Sequence, residues 1–330
     1  MKAKGPTPYR KGSHQKAVKR QPLSWFRARL TTWSKKALTV TNMSTKERKR
    51  ITSTMTTKQR NRLNDYRIAT WNVLSLNRTG AFKCLKDQLK KYKVMIAALQ
   101  EIRWKESSIM DSGDYTLFCS SNGTSNFGTG FVVHKKIKPA VLNFNPINGR
   151  LCSLRIKMKF FNLSVICAHA PTEESSEEDK DVFYEQLERT LDSIASHDAK
   201  MIIGDMNAKL GREIFYQPYL GKHSLHEDCN NNGLRLVDFA ISKNFSISST
   251  QFPHKNIHKG TWQSPDGLTI NQIDHVLMER RHGSDIMDVK SCRGADVDSD
   301  HFMVLVKNRQ KISTKKSEKP QKVLRLNSSL

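Results

Sequence analysis

Ile273-Asp274-His275-Val276-Leu277, followed by Ser299-Asp300-His301, is the part of the chain from which the rest can be read. A carboxylate lies at the edge of an apolar run, and an Asp-His pair opens the last apolar run of the sequence. An imidazole held by an aspartate keeps one tautomer and can carry positive charge close to a phosphate. Upstream, three polar groups end or follow short apolar runs that read as buried strands. Asn72 closes the run 67–73, Gln100-Glu101 follow 94–99, and Asp205-Met206-Asn207 follow 201–204. Polar residues at the ends of buried strands are a common way to assemble one site from distant sequence.

The same periodicities place the remaining elements. Strands are expected at 115–119, 130–134, 137–143, 151–158, 162–168, 245–249, 261–263, 271–277 and 302–307. Helices are expected at 81–92, at 177–196 with Ser175 or Ser176 as cap, and over about ten residues beginning at an Asn232 cap. The strand, helix, strand order at the start suggests a layered α/β arrangement. Residues 120–129 read as a polar hairpin loop. Residues 208–232 read as a long irregular loop of the kind that lines sites, with His223 and His226 as surface residues. Trp71 and Trp262 read as core aromatics.

Charge is unevenly spread. The chain of 330 residues carries a net charge of +25. Residues 1–67 hold 19 Lys/Arg against 2 Asp/Glu, and residues 307–330 hold 8 against 1, so the stretch between them is nearly neutral. A basic arm at 1–65, a folded domain at 66–308 and a basic tail at 309–330 are therefore expected, with a polyanionic partner. Leu23, Phe26, Leu30, Trp33 and Ala37 fall on one helical face within the arm, and Lys46-Glu47-Arg48-Lys49-Arg50 is a candidate nuclear-import or phosphate-contacting cluster. The six cysteines are scattered, without a Cys-x-x-Cys pair. They read as buried free thiols of a reducing compartment, hence a nuclear or cytoplasmic protein. No run reaches the ~18 apolar residues of a membrane span.

Seven segments together resemble the endonuclease/exonuclease/phosphatase superfamily: Thr70-Trp71-Asn72-Val73, Leu99-Gln100-Glu101, His169-Ala170-Pro171-Thr172, Gly204-Asp205-Met206-Asn207, Thr261-Trp262, Ile273-Asp274-His275 and Ser299-Asp300-His301. Within it the chain is most similar to endonuclease domains of non-LTR retrotransposons and to craniofacial development protein 2-like proteins, a likeness to which residues 232–239 add. The resemblance implies an α/β (α+β) fold, a DNase I-like four-layered sandwich of two mixed β-sheets flanked by helices.

It also implies a Mg²⁺-dependent phosphodiesterase, with Mn²⁺ as the alternative cation, most simply one that nicks duplex DNA. An RNA or phosphoinositide hydrolase, or a silent nucleic-acid-binding protein, shares the pattern. Glu101, with Asn72 and Asp300, would hold the metal. Asp205 would orient or deprotonate water, Asn207 would donate to a phosphate oxygen, and His301, oriented by Asp274, would stabilise growing negative charge. His169 would touch the phosphate or the leaving group. It stands where relatives place Tyr or His, and an imidazole there predicts a titration between about pH 5.5 and 8. Leu74 replaces an aspartate of several repair-type relatives, which favours a one-metal site. Taken singly, each residue has a plainer reading, as a strand-end turn, an edge carboxylate or a buried histidine. Their joint placement carries the expectation.

Overall fold

In a computed structural model, the described residues are 66–309. The basic arm, its apolar helical face and the tail beyond 309 lie outside them. Fifteen strands and three α-helices are present among the described residues. One sheet has seven strands: β14 (Ile286–Cys292), β15 (Met303–Asn308), β1 (Tyr66–Asn72), β2 (Ile96–Gln100), β5 (Thr129–His134), β4 (Tyr115–Ser120) and β3 (Ser108–Ser112), in that spatial order. The second sheet has six: β10 (Phe245–Ile247), β13 (Asp274–Glu279), β9 (Ala199–Asp205), β8 (Leu163–His169), β7 (Leu151–Ile156) and β6 (Val141–Pro146). A two-stranded ribbon pairs β11 (Trp262–Gln263) with β12 (Ile270–Asn271).

Three apolar clusters define four layers. Ile68, Ile96, Phe131 and Val133 of the first sheet meet Leu154, Val165, Met201, Ile203 and Val276 of the second between the sheets. Leu85 and Leu89 of α1 (Ala81–Lys91) cover the outer face of the first sheet over Ala69, Trp71 and Leu99. Phe183, Leu187 and Leu191 of α2 (Glu177–Asp192), with Leu236 and Val237 of α3 (Asn231–Ser242), cover the outer face of the second. Because both faces of both sheets are covered, the inner strands are buried along their whole length, as in β2 and β8. That is why they read as continuous apolar runs rather than as alternation. The four-layered, DNase I-like sandwich expected from the sequence is the fold observed.

Each sheet holds one parallel pair at its centre, β1 with β2 and β8 with β9. All four of these strands end at the same edge of the sandwich, and their antiparallel neighbours β15 and β13 begin there. In the second pair the backbones come close at Ala168 and Gly204. A Cβ on Gly204 would lie 1.9 Å from the Ala168 carbonyl oxygen, so only glycine fits.

Several boundaries differ from expectation. β3 and β14 were unassigned in the sequence, because edge strands carry mixed polar patterns. The run 271–277 splits into β12 and β13. Helix α3 is capped by Asn230, whose side chain accepts the Gly233 N–H, and not by Asn232. Asn232 is buried and donates to the carbonyls of Pro171 and Asn207 instead. All six cysteines are free as expected, but Cys84 is exposed and Cys229 only partly buried. None of the described helices is long and apolar enough to cross a membrane.

Away from the site-bearing edge, Asp198 is fully buried just before β9. Arg155 of β7 donates to it through Nε (2.7 Å) and a terminal nitrogen (2.9 Å), and Ser164 of β8 through its hydroxyl (2.8 Å). Burial alone would raise the pKa of this carboxyl, but the Arg155 and Ser164 bonds outweigh it and hold it below the usual range. A depressed folded-state pKa means that the stabilisation is present above the ordinary carboxylate pKa and is lost as pH falls through the folded value. Asp198→Ala should therefore cost about 3 kcal/mol at pH 7, since it strands a partly buried guanidinium. That corresponds to roughly 6–12 °C in Tm for a domain of this size. Thermal unfolding at pH 7 and below pH 3 checks this, with the gap between wild type and variant narrowing in acid.

Candidate active site

The polar residues singled out in the sequence gather at the common edge. Asn72 ends β1, Gln100 ends β2 with Glu101 next in the chain, and His169 and Asp205 end the parallel pair β8/β9 directly opposite each other. Asp274 opens β13 in register with Asp205, and His301 lies just before β15. Glu101, His169, Asp205, Asn207, Asp300 and His301 line one cleft of about 410 Å³. Asn72 and Asp274 are 1% exposed and stand behind its wall.

The backbone turns sharply as each strand delivers its residue. Leu74 and Ser75 after β1, Glu101 and Arg103 after β2, and Asn207 after β9 all have positive φ. Such conformations cost about 1–3 kcal/mol each and persist only where surroundings impose them. Here hydrogen bonds impose them: Ser75 N–H donates to the Glu101 carbonyl (2.8 Å), and Ile102 and Arg103 N–H donate to the carbonyls of Gly128 (3.0 Å) and Phe127 (2.9 Å).

At the centre the Asn72 amide nitrogen donates to Glu101 Oε1 (2.9 Å) and to Asp205 Oδ2 (3.1 Å). The other Glu101 oxygen is gripped by the Arg103 guanidinium. Burial opposes charge on Glu101, but the Asn72 bond, the His169 ring and Arg103 together hold its pKa below the usual range. Asp205 differs. Burial and the neighbouring Asp274 carboxylate raise its pKa, and the nearby His301 and His169 rings offset this only in part. His301 Nδ1 is 3.0 Å from Asp274 Oδ2, and its Nε2 is 3.7 Å from Asp205 Oδ2. Burial disfavours its charge, yet these two carboxylates push its pKa up to about 10. It is therefore an imidazolium at neutral pH.

His169 Nε2 lies 3.8 Å from Glu101 Oε1 and 3.9 Å from Asp205 Oδ2. These gaps are wider than a hydrogen bond. Burial outweighs both carboxylates and lowers its pKa. The ring is 5% exposed, and this burial shifts the His169 titration below the ordinary imidazole value. Asn207 accepts no role from its own strand: its amide nitrogen donates to the Ala170 carbonyl (2.9 Å), leaving a second N–H for a ligand.

Two groupings could attract a cation. Asp205, Asp274 and His301 offer ligand atoms within 4.8 Å of one another. With its imidazole protonated this group is an ion cluster in which His301 offsets part of the charge of the two carboxylates. Glu101 and Asp300 supply hard oxygens to the same cleft. Asp300 Oδ1 is buried without a partner, while Oδ2 accepts from Trp262 Nε1 (2.8 Å). An all-oxygen set with an unsatisfied carboxylate oxygen fits a hard divalent cation. Asn72, expected as a third ligand, here uses its nitrogen to bridge two carboxylates, and its oxygen accepts the Leu74 N–H (3.2 Å).

Sequence reasoning missed several members. Arg103 follows Glu101 by two residues, but the left-handed backbone that brings the two side chains together is not written in that spacing. Lys209, Glu173 and Glu174 also line the cleft. Trp262 is part of the wall and orients Asp300, so it is not a core aromatic, whereas Trp71 is buried at 1% exposure. Thr261 holds Asp274 by accepting its N–H (3.0 Å). Gln100, paired with Glu101 in the sequence, turns inward to Cys167. His226 accepts the Gln272 N–H and is a structural residue.

Comparison with known proteins identifies the family. Curated relatives include craniofacial development protein 2 of Tragulus javanicus, 33% identical over 249 residues that make up 75% of this chain and 43% of that one. The Bos taurus protein of the same name is 32% identical, over 75% of this chain and 42% of its own. The chain thus spans less than half the length of these relatives. Among solved structures, the endonuclease domain of TRAS1, a telomere-specific non-LTR retrotransposon, superposes with a TM-score of 0.52 at 14% identity, covering 74% of this chain and 98% of that one. The Xenopus laevis APE2 catalytic domain gives 0.57 at 20%, covering 76% and 94%. The model of the Endonuclease/Exonuclease/phosphatase family matches residues 69–301, from the middle of β1 to the imidazole just before β15, so this chain belongs to that family.

Proposed function

We propose that this chain is a Mg²⁺-dependent phosphodiesterase that nicks duplex DNA and derives from a retrotransposon endonuclease. The observation that carries this reading is the convergence, on one cleft, of Glu101, His169, Asp205, Asn207, Asp300 and His301 from both sheets. The names of its structural neighbours, an endonuclease domain of a retrotransposon and an AP endonuclease from Leishmania major among them, favour DNA as the substrate.

Glu101 and Asp300, with Asn72 if its amide is turned over, would hold Mg²⁺, which when bound supplies positive charge to a phosphate oxygen. The other roles fall to this chain's own groups. Asp205, made more basic by burial and by Asp274, accepts the proton of the attacking water. His301 keeps its charge and presents Nε2 to a phosphate oxygen, where preorganised positive charge counts most. Asn207 offers its remaining N–H to a second oxygen. His169, neutral at pH 7, contacts the phosphate or the leaving group.

Two outcomes are expected. Supercoiled plasmid should be nicked with Mg²⁺ and not with chelator, and Glu101→Ala or Asp205→Asn should slow the reaction by about 10² to 10³. A panel of plasmid, RNA and inositol phosphates locates the substrate class, and preference for either of the latter two over plasmid would replace DNA in this reading. The second outcome concerns pH. The His301 pKa is raised by its partner, so the imidazolium persists from neutrality to about pH 10 and the wild-type rate should be level between pH 7 and 9. In Asp274→Asn the support is lost and the pKa falls toward its ordinary 6.5. The rate of that variant should decline through pH 6–8, and a level profile in it would remove the imidazolium role.

A further inference from the structure

On the outer face of the seven-stranded sheet, where α1 ends, lies a second concavity of about 350 Å³. Its apolar lining comes from Tyr92, Leu305 and the exposed Ile257. Four cations surround it: Arg67, Lys290, Arg293 and Lys307. Strand register brings them together, since Arg67 of β1 faces Lys307 of β15, and Lys290 of β14 faces Leu305 of β15. The one acid in its lining, Asp288, is taken by His254 Nε2 at 2.7 Å.

Two of these cations, Lys290 and Arg293, keep capacity for a ligand. Lys290 is half-buried and makes no hydrogen bond or ion pair with a described residue. Arg293 lies 4.8 Å over the Phe302 ring, and its Nε is buried without a partner. A surface with this composition attracts anions. An apolar lining beside cations suits a ligand that is flat at one end and phosphorylated at the other.

Position adds a second argument. Tyr66 and Asn308 are paired, so β1 enters and β15 leaves at neighbouring points beside this concavity. The sequence that adjoins both points is basic, with 18 Lys/Arg in residues 1–65 and 6 in residues 310–330. Arg67 is five residues before Asn72, about 17 Å along the strand from the catalytic edge. A nucleic-acid strand leaving the cleft along this face would meet Arg293, then Lys290, and then Arg67 with Lys307.

We infer that the concavity between Tyr92, Ile257 and β14 is a second nucleic-acid site, which takes one nucleotide of a single strand, with the base on the apolar lining and the phosphate on Lys290 and Arg293. Single-stranded nucleic acid is favoured over duplex because only an unpaired base can enter a concavity of this depth. A duplex would present phosphates alone.

The test is binding, not cleavage, so it stands apart from the proposed nuclease activity. Full-length chain in chelator is titrated into fluorescent dT12 and into a blunt 12-base-pair duplex, over a range of salt. Lys290→Glu with Arg293→Glu should weaken dT12 binding by at least about tenfold and make its salt slope shallower by about 1.4, the share of two phosphate contacts on a single strand. Duplex affinity should change less than dT12 affinity, and Lys290→Arg should bind dT12 as wild type does. An unchanged Tm in each variant shows that the fold is kept. Unaltered dT12 affinity and slope would overturn the site. An equal loss for duplex would also overturn it, by reducing the patch to undirected charge.

Discussion

Asp205 and Asp274 face each other across adjacent strands of the second sheet, each about 1% exposed. Two carboxylates buried so close cannot both ionise unless a cation lies between them or beside them. The cation is the His301 imidazolium, and it comes from the first sheet. The charge balance of the site is therefore also a clamp between the two sheets at the edge where both parallel pairs end. His301 is itself registered by the outer core: its carbonyl accepts from Trp71 Nε1 (2.9 Å), and its N–H donates to Ser299 Oγ (3.1 Å), which donates in turn to the Asn72 carbonyl (2.7 Å). A buried indole under α1 thus fixes the position of the His301 positive charge in the cleft.

How far the sequence could be read follows from the layers. Strands covered on both faces, such as β2, β8 and β9, are uninterrupted apolar runs, and they end in the polar residues that build the cleft. Those residues were visible because water-loving side chains are conspicuous after Ile-Ala-Ala-Leu or Met-Ile-Ile-Gly. Edge strands were not visible. β3 is exposed along most of its length, and β14 alternates between core and the basic concavity, so neither resembles a buried run. The cap of α3 was misplaced because three asparagines follow one another. Only tertiary contacts decide that Asn230 caps while Asn232 reaches under the cleft to Pro171 and Asn207.

The parts of the site that stayed hidden share one cause. Arg103 reaches Glu101 because both residues adopt left-handed backbone, and sequence spacing does not reveal that. Trp262 reaches Asp300 because the β11 ribbon bridges to His301, a pairing of distant segments. Leu74, where several relatives carry an acid, also has positive φ and is partly exposed. Its N–H satisfies the Asn72 oxygen, so this position contributes backbone and no carboxylate.

The strained turns have a consequence for chemistry. Left-handed conformations at Leu74, Glu101, Arg103 and Asn207 would relax if the strand ends were free to move. Backbone hydrogen bonds that link β1 to the loop after β2, and that loop to the residues before β5, hold Glu101 and Arg103, while the N–H groups of Leu74 and Asn207 donate to the Asn72 and Asp205 side chains. The carboxylates, amide and imidazolium are thereby fixed relative to one another before any substrate arrives, and little reorganisation remains to be done in the transition state. Fixing is selective, however. His169 Nε2 stands beyond hydrogen-bond reach of both Glu101 and Asp205, and Asp300 keeps one oxygen unpaired. Both residues line the cleft, where the rigid frame leaves bonds for a ligand to complete.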